Sequence, residues 1–320
     1  MESNSKEKRP SEYEAEYGAL RSMSLKELMD KALSLKLQNR GLRMGLCTIT
    51  NAKSGACSED CAFCAQSAKN RAGAPVYDLK DIDCILKEAE EARKSGAKRF
   101  SLVTSGKGPS PSLVEKIAEY VFQLKRRVDL SVCASLGIID RQLLAILKEA
   151  GLARYHHNLE ASKAFFKKIC TSHSYDERLK TIQDAKAVGL EVCSGGIIGL
   201  GENEFDRYLM AKELSKLEVD SCPINILVPI KGTPLEDLSP LSVSEVLRAI
   251  AIFRFMLPRA AIRIAGGREK ILKDAQVLGF LAGADAMLIG GYLTTRGRSP
   301  EEDLEMTAQI KEIWKTLQVY

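Results

Sequence analysis

The sequence predicts an α/β protein, a (β/α)8 TIM-type barrel with an N-terminal helical extension, and two observations carry that expectation. Eight short apolar runs of strand character, LCTITN, KRFSLVTS, DLSVCASLG, RYHHNLEAS, EVCSGGIIGL, SCPINILVPI, AIRIAGG and AMLIGG, begin near residues 46, 98, 129, 154, 191, 221, 261 and 286. Amphipathic stretches such as DIDCILKEAEEARKSGA and DERLKTIQDAKAVG lie between them. A strand followed by a helix, eight times over, specifies a parallel sheet that closes on itself. A doubly wound open sheet is the alternative.

Each element has a local reason. After a polar tail, the segment from Ser24 to Arg40 has helical apolar spacing and reads as an N-terminal helix. Residues 1–43 are therefore expected to form a tail and helix, and residues 44–320 one barrel with a C-terminal helix. Ser112 with Glu115, Ser242 with Glu245, and Ser299 with Glu302 have capping-box spacing, the last with Pro300 at the first helical position. At 320 residues the chain is long enough for such a barrel, and 45% hydrophobic with 28% charged residues is ordinary for a globular protein. No apolar run reaches the roughly 18 residues that span a bilayer, and MESNSKEKRP has no apolar signal core. A cytoplasmic protein with no membrane partner is expected. The nine cysteines are then expected to be reduced thiols or metal ligands. A net charge of +5 with scattered basic residues fits solvated helix faces, not a nucleic-acid partner.

The most chemically specific feature is GACSEDCAFCAQSA, which places Cys57, Cys61 and Cys64 in a C-x3-C-x2-C loop with Phe63 before the last thiol. Iron-sulfur clusters are held by cysteine thiolates, four-iron clusters usually by four. Three on one loop leave one iron open to a substrate or cofactor. Structural zinc is the alternative, but it wants a fourth Cys or His nearby. The next histidines are His156 and His157.

A second constellation follows from strand alternation, which sends every other side chain inward. Parity turns Cys47, Ser101, Cys133, Cys193 and Arg263 toward the barrel interior from five different strands. A single inward cysteine is most simply a small buried apolar side chain. Three beside an arginine are less simply explained, because a buried guanidinium needs an anionic partner. Asn158 and Asn225 also have inward parity, and an amide both donates and accepts hydrogen bonds. Cys84 and Cys170 fall in helical segments and Cys222 has the opposite parity, so these three are expected to stand aside.

The cysteine loop resembles that of the radical S-adenosylmethionine (SAM) superfamily. More of the chain, through NAKSGACSEDCAFCAQSA, ASLG, HHNLEAS, ERL, EVCSGGIIGLGE, PIN, KGTP and IRIAGGRE in that order, is similar to the biotin synthase family over roughly residues 40–300. The resemblance implies a 4Fe-4S cluster on Cys57, Cys61 and Cys64, with SAM on the open iron and cleaved by one electron to a 5′-deoxyadenosyl radical. It implies an auxiliary iron-sulfur cluster whose sulfide is inserted into dethiobiotin. Cys133, Cys193 and Arg263 match the family's auxiliary ligands. The family's usual third cysteine is Ser101 here, so Cys47, one strand away, is expected to replace it, with cluster size left open. By the same resemblance Phe63 contacts adenine, Gly195, Ile197, Gly199 and Glu202 shape the adenine site, Glu160 meets the ribose and Arg178 the methionine carboxylate. Thr104 and Ser105 lie near the methionine amino group, and Asn158 and Asn225 bind the ureido ring. His156 stands where the family has asparagine. A reducing donor such as flavodoxin or ferredoxin and a homodimer are also implied. The rivals are a barrel radical SAM enzyme of other chemistry, such as the methylornithine-forming or hydrogenase-maturation enzymes, and an iron-sulfur carrier that does not cleave SAM.

Overall fold

The computed structural model describes residues 10–291, 293 and 297–317. The elements run α1 (Pro10–Ser22), α2 (Leu25–Arg40), β1 (Gly45–Lys53), α3 (Ile82–Lys94), β2 (Arg99–Thr104), α4 (Pro111–Arg127), β3 (Ser131–Ser135), α5 (Arg141–Glu149) and β4 (Arg154–His156). They continue through α6 (Lys163–Phe166), α7 (Tyr175–Ala187), β5 (Glu191–Cys193), β6 (Gly196–Ile198), α8 (Glu204–Lys216), β7 (Ser221–Ile226) and α9 (Val243–Met256). Last come β8 (Ala261–Ile264), α10 (Arg268–Ile271), α11 (Gln276–Leu281), β9 (Ala286–Leu288) and α12 (Pro300–Leu317).

All strand pairs are parallel, in the order β5-β4-β3-β2-β1-β9-β8-β7-β6, and a further β5–β7 pairing closes the ring. This is the eight-stranded barrel the repeat predicts, with one correction. The fifth run, EVCSGGIIGL, is two short strands, β5 and β6, that both pair with β7. Gly195 lies at the break: a Cβ there would sit 1.9 Å from the Pro223 carbonyl oxygen, so only glycine lets the two backbones approach.

Two smaller expectations also change. The segment read as a polar tail contains α1, whose weak apolar pattern hides it. The start of α4 is capped by Ser110, whose Oγ accepts from Leu113 N at 3.2 Å, with Pro111 as first helical residue; Ser112 is already inside the helix. Ser242–Glu245 is a reciprocal capping box, and Ser299–Glu302 makes both of its bonds.

The core lies between barrel and helices. In α9, Val246, Leu247, Ile250 and Phe253 are buried, and α2 packs across them. Beneath them Arg254, fully buried, donates to Asp285 at 2.9 Å; Arg40 of α2 donates to the same carboxylate at 2.6 Å. A buried carboxylate held by two guanidiniums is paired as burial requires. All nine cysteines are free thiols. Among the described residues no helix is long and apolar enough to cross a membrane.

Candidate active site: two thiol sites in one barrel

The cysteine loop leaves β1 at the C-terminal end of the barrel, where such folds place their chemistry. Its path is fixed by side chains that satisfy its backbone. Gln66 Oε1 accepts from Gly55 N at 3.0 Å, Asn70 Nδ2 donates to the carbonyls of Cys61 and Cys64 at 3.1 and 2.8 Å, and Ser105 Oγ donates to Gly55 O at 2.7 Å. Ala56 takes a positive φ of 49°, a strained geometry of the kind that collects at functional sites. Cys57, Cys61 and Cys64 line a cavity of about 180 Å³ together with Thr104, Ser105 and Arg178.

Sequence reasoning missed the anchor on the far side of this loop. The segment 171–173 docks onto Glu59 and Asp60. Asp60 accepts from Thr171 N, Ser172 N and Ser172 Oγ at 2.9, 3.0 and 2.9 Å, and from the Thr171 hydroxyl. Glu59 pairs with His173 Nδ1 at 2.5 Å. Burial works against the Asp60 charge, but these donors hold its carboxyl far below the usual range. Cys170, expected in a helix and away from the site, instead lies beyond α6 with its Sγ 3.8 Å from that of Cys61 and 3.3 Å from His173 Nδ1. The contact with Cys61 pulls the Cys170 thiol down and pushes the Cys61 thiol up. The only advance signal was the polar run TSHS after an apolar turn.

Cys47, Ser101, Cys133, Cys193, Arg263 and His156 line a second cavity of about 410 Å³, nearer the strand starts. All five inward parities hold, and Cys84 and Cys222 lie outside both cavities. Arg263 Nη1 donates to Cys193 Sγ at 3.4 Å. Burial raises the Cys193 thiol, but His156, Arg263 and Arg154 outweigh it and bring it to about 5. Burial pushes Cys133 up to about 11. Register refines the expected exchange of ligands: Cys47 pairs with Arg99, while Ser101 pairs with Ile49 and Cys133. Cys47 is thus one strand over and two residues lower, roughly 6–7 Å along the strand.

The residues fit an anionic cluster. Arg263 Nε and Arg99 Nη1 are buried donors without a partner among the described residues, a costly arrangement that an anion of several acceptor atoms would relieve. The loop fits a three-thiol group with an open side, since its cavity faces Arg178 and Glu160.

The two cavities share a wall of Phe63, Cys64, Asn158 and Glu160. Phe63 and Ile197 also face a side pocket of about 520 Å³ that reaches Asn225. Glu160 has a φ of 69° and lies 3.8 Å from Arg178, whose Nε donates to His173 Nε2 at 2.9 Å and Nη1 to Asn158 O at 2.8 Å. Asn158 Oδ1 accepts from Gly195 N and Asn225 Oδ1 from Gly266 N, at 3.1 and 3.0 Å, so each amide is held by backbone. Glu202 is turned from the cavities: its Oε1 accepts from Gly199 N at 2.8 Å and from Arg207 Nε at 2.5 Å, which shapes the turn after β6. Gly199, at a φ of 91°, supplies the left-handed turn.

Comparison with known proteins places these features. Residues 52–214 match the Radical SAM superfamily and residues 223–311 the Biotin and Thiamin Synthesis associated domain. The biotin synthase of Pelotomaculum thermopropionicum is 52% identical over 92% of both chains. That of Thermotoga petrophila is 49% identical over 92% of this chain and 97% of its own. Among solved structures, methylornithine synthase superposes with a TM-score of 0.80 at 21% identity, covering 92% of each chain. The FeFe-hydrogenase maturase HydG from Carboxydothermus hydrogenoformans gives 0.77 at 18%, over 93% of this chain and 78% of that one. At those identities the likeness is one of fold.

Proposed function

The chain belongs to the biotin synthase family of radical SAM enzymes, and from that premise we propose that it inserts sulfur into dethiobiotin to form biotin, using two thiol sites stacked along one barrel. The wall common to the two cavities carries this reading. A substrate lying against Phe63, Asn158 and Glu160 has one thiol site above it and the other below. When bound, the SAM-ligated 4Fe-4S cluster would supply the 5′-deoxyadenosyl radical, and the auxiliary iron-sulfur cluster the sulfur.

The protein's own part is to bind, orient and exclude water. Cys57, Cys61 and Cys64 hold the first cluster, and Cys47, Cys133, Cys193 and Arg263 the second. Glu160 accepts the ribose hydroxyls and Arg178 pairs with the methionine carboxylate, a charge-assisted bond. Thr104 and Ser105 accept from the methionine amino group. Phe63 and Ile197 cover the adenine, while Gly195, Gly199 and Glu202 set the backbone behind it. Asn158 and Asn225, already clamped by backbone, each retain an amide hydrogen and a lone pair for the ureido ring. In the cell we propose a cytoplasmic homodimer reduced by a flavodoxin or ferredoxin.

Dethiobiotin should stimulate 5′-deoxyadenosine release from reduced enzyme and SAM, and octanoate should not. Biotin should be seen by mass spectrometry. Stimulation by both without a biotin product would favour a different radical reaction. No SAM cleavage at all would favour an iron-sulfur carrier.

A further inference from the structure

A wide cavity lies at neither thiol site but at the opposite end of the barrel. The starts of β1, β2, β4, β5 and β8 surround about 810 Å³ there. In barrel enzymes the loops at the other end carry the chemistry, and this end serves stability. A wide hollow does not serve stability.

The roof of this basal cavity is the floor of the second thiol chamber, because Arg99, Arg154 and Arg263 line both. Glu191, on the rim and 44% exposed, holds Arg99 at 2.8 Å and Arg154 at 2.7 Å. The partition is therefore made of three guanidiniums, two of them latched by one carboxylate that water can reach, and two of its buried donor atoms, Arg99 Nη1 and Arg263 Nε, lack partners among the described residues. Exposed Lys98 and Arg259 add positive charge at the entrance, and although Glu16, Glu218 and Asp220 also line it, Glu16 is paired with Lys212 and Glu218 with Lys186, so the lining stays net basic. Focused positive potential in a cleft raises the local concentration of anions. It repels SAM, whose sulfonium is a cation.

We infer that the basal cavity is an anion port, through which hydrosulfide from solution reaches the chamber of Cys47, Cys133, Cys193 and Arg263 without passing the substrate side. The inference rests on the proposed role of that chamber as the source of the inserted sulfur. A chamber that gives up sulfur must be resupplied, and the upper route is the one that SAM and dethiobiotin fill. The step is not a redox reaction. Hydrosulfide arrives as HS⁻, releases its proton to solvent and contributes sulfide, and no electron is transferred.

The test uses holoenzyme after a single turnover, exposed to heavy-isotope hydrosulfide with SAM and dethiobiotin present, and reads the isotope in acid-labile sulfide. Wild type should take up label. Lys98→Glu with Arg259→Glu should slow uptake at least about fivefold, in keeping with electrostatic effects on association rates, while SAM cleavage and the first turnover stay unchanged. The pair Lys98→Gln with Arg259→Gln should fall between. Uptake equal to wild type in the charge-reversed protein, or uptake stopped by SAM and dethiobiotin, would overturn the port alone. Absence of acid-labile sulfide at the chamber in fresh wild-type holoenzyme would overturn the sulfur-source reading and the port with it.

Discussion

The two thiol sites are built on opposite principles. Cys57, Cys61 and Cys64 ride on an irregular loop whose shape depends on side chains: Gln66, Asn70, Ser105 and the loop's own Glu59 and Asp60, which grip residues 171–173 from outside it. Cys47, Cys133, Cys193 and Arg263 stand on strands, where backbone register alone sets their positions. A loop must keep its own spacing to keep its ligands, whereas a barrel wall offers many inward positions at similar depth. The difference explains why the proposed ligand exchange between Ser101 and Cys47 is thinkable in the chamber and would not be in the loop.

The strongest way to break the comparison is Cys61→Ala. Two remaining loop thiols cannot hold a cluster with its open iron oriented, so 5′-deoxyadenosine production should fall to background while auxiliary iron and sulfide remain. Undiminished product would remove the loop from the chemistry.

Next is the chamber. Cys47→Ala should lose auxiliary iron and sulfide yet still cleave SAM, and Ser101→Ala should keep both, since a neutral hydroxyl is a much poorer iron ligand than a thiolate. Mössbauer spectra with iron and sulfide counts decide it. A full auxiliary complement in the Cys47 variant would return that residue to the core.

A smaller effect probes the loop's dependence on its anchor. Asp60→Ala removes bonds to a charged acceptor, each contributing about 1.5–3 kcal/mol. Iron on the loop should become extractable by a chelator while chamber iron stays. Equal resistance at the two sites would mean the loop holds its shape without residues 171–173.

The last distinction is one of pH. In protein stripped of iron, Cys193 is a thiolate above about 5, so its alkylation rate should be flat from pH 6 to 9. Cys133, held up near 11 by burial, should react roughly tenfold faster per pH unit over that range, and Cys64, also raised by burial, should rise with pH as well. Peptide mapping of the labelled thiols reads this directly, and a rising profile at Cys193 would deny the influence of His156 and Arg263.

How much of this was legible in the sequence follows from the same contrast. The loop was readable because its thiols are neighbours in the chain, and the chamber because parity survives from strand to strand. Cys170 was misread because its place beside Cys61 is set by Asp60, more than a hundred residues away, which no local pattern encodes. The break between β5 and β6 was invisible because Ser194 and the two glycines after it have no period of their own. The basal cavity could not be read at all. It is formed by the first residues of five strands, which sequence brings nowhere near one another.

The Arg40–Asp285 pair joins residues 245 positions apart, and β1 finds β9 across a similar span. At about 5–20 residues per second of synthesis, the ribosome needs roughly 12–50 s to carry the chain from one partner to the other. Throughout that interval the ring lacks its last stave, and the inward thiol of β1 stands beside the gap that β9 will fill. The gap closes when β9 arrives and the α2 helix clamps over the join, so the order in which the chain emerges makes the Cys47 thiol accessible first and enclosed last.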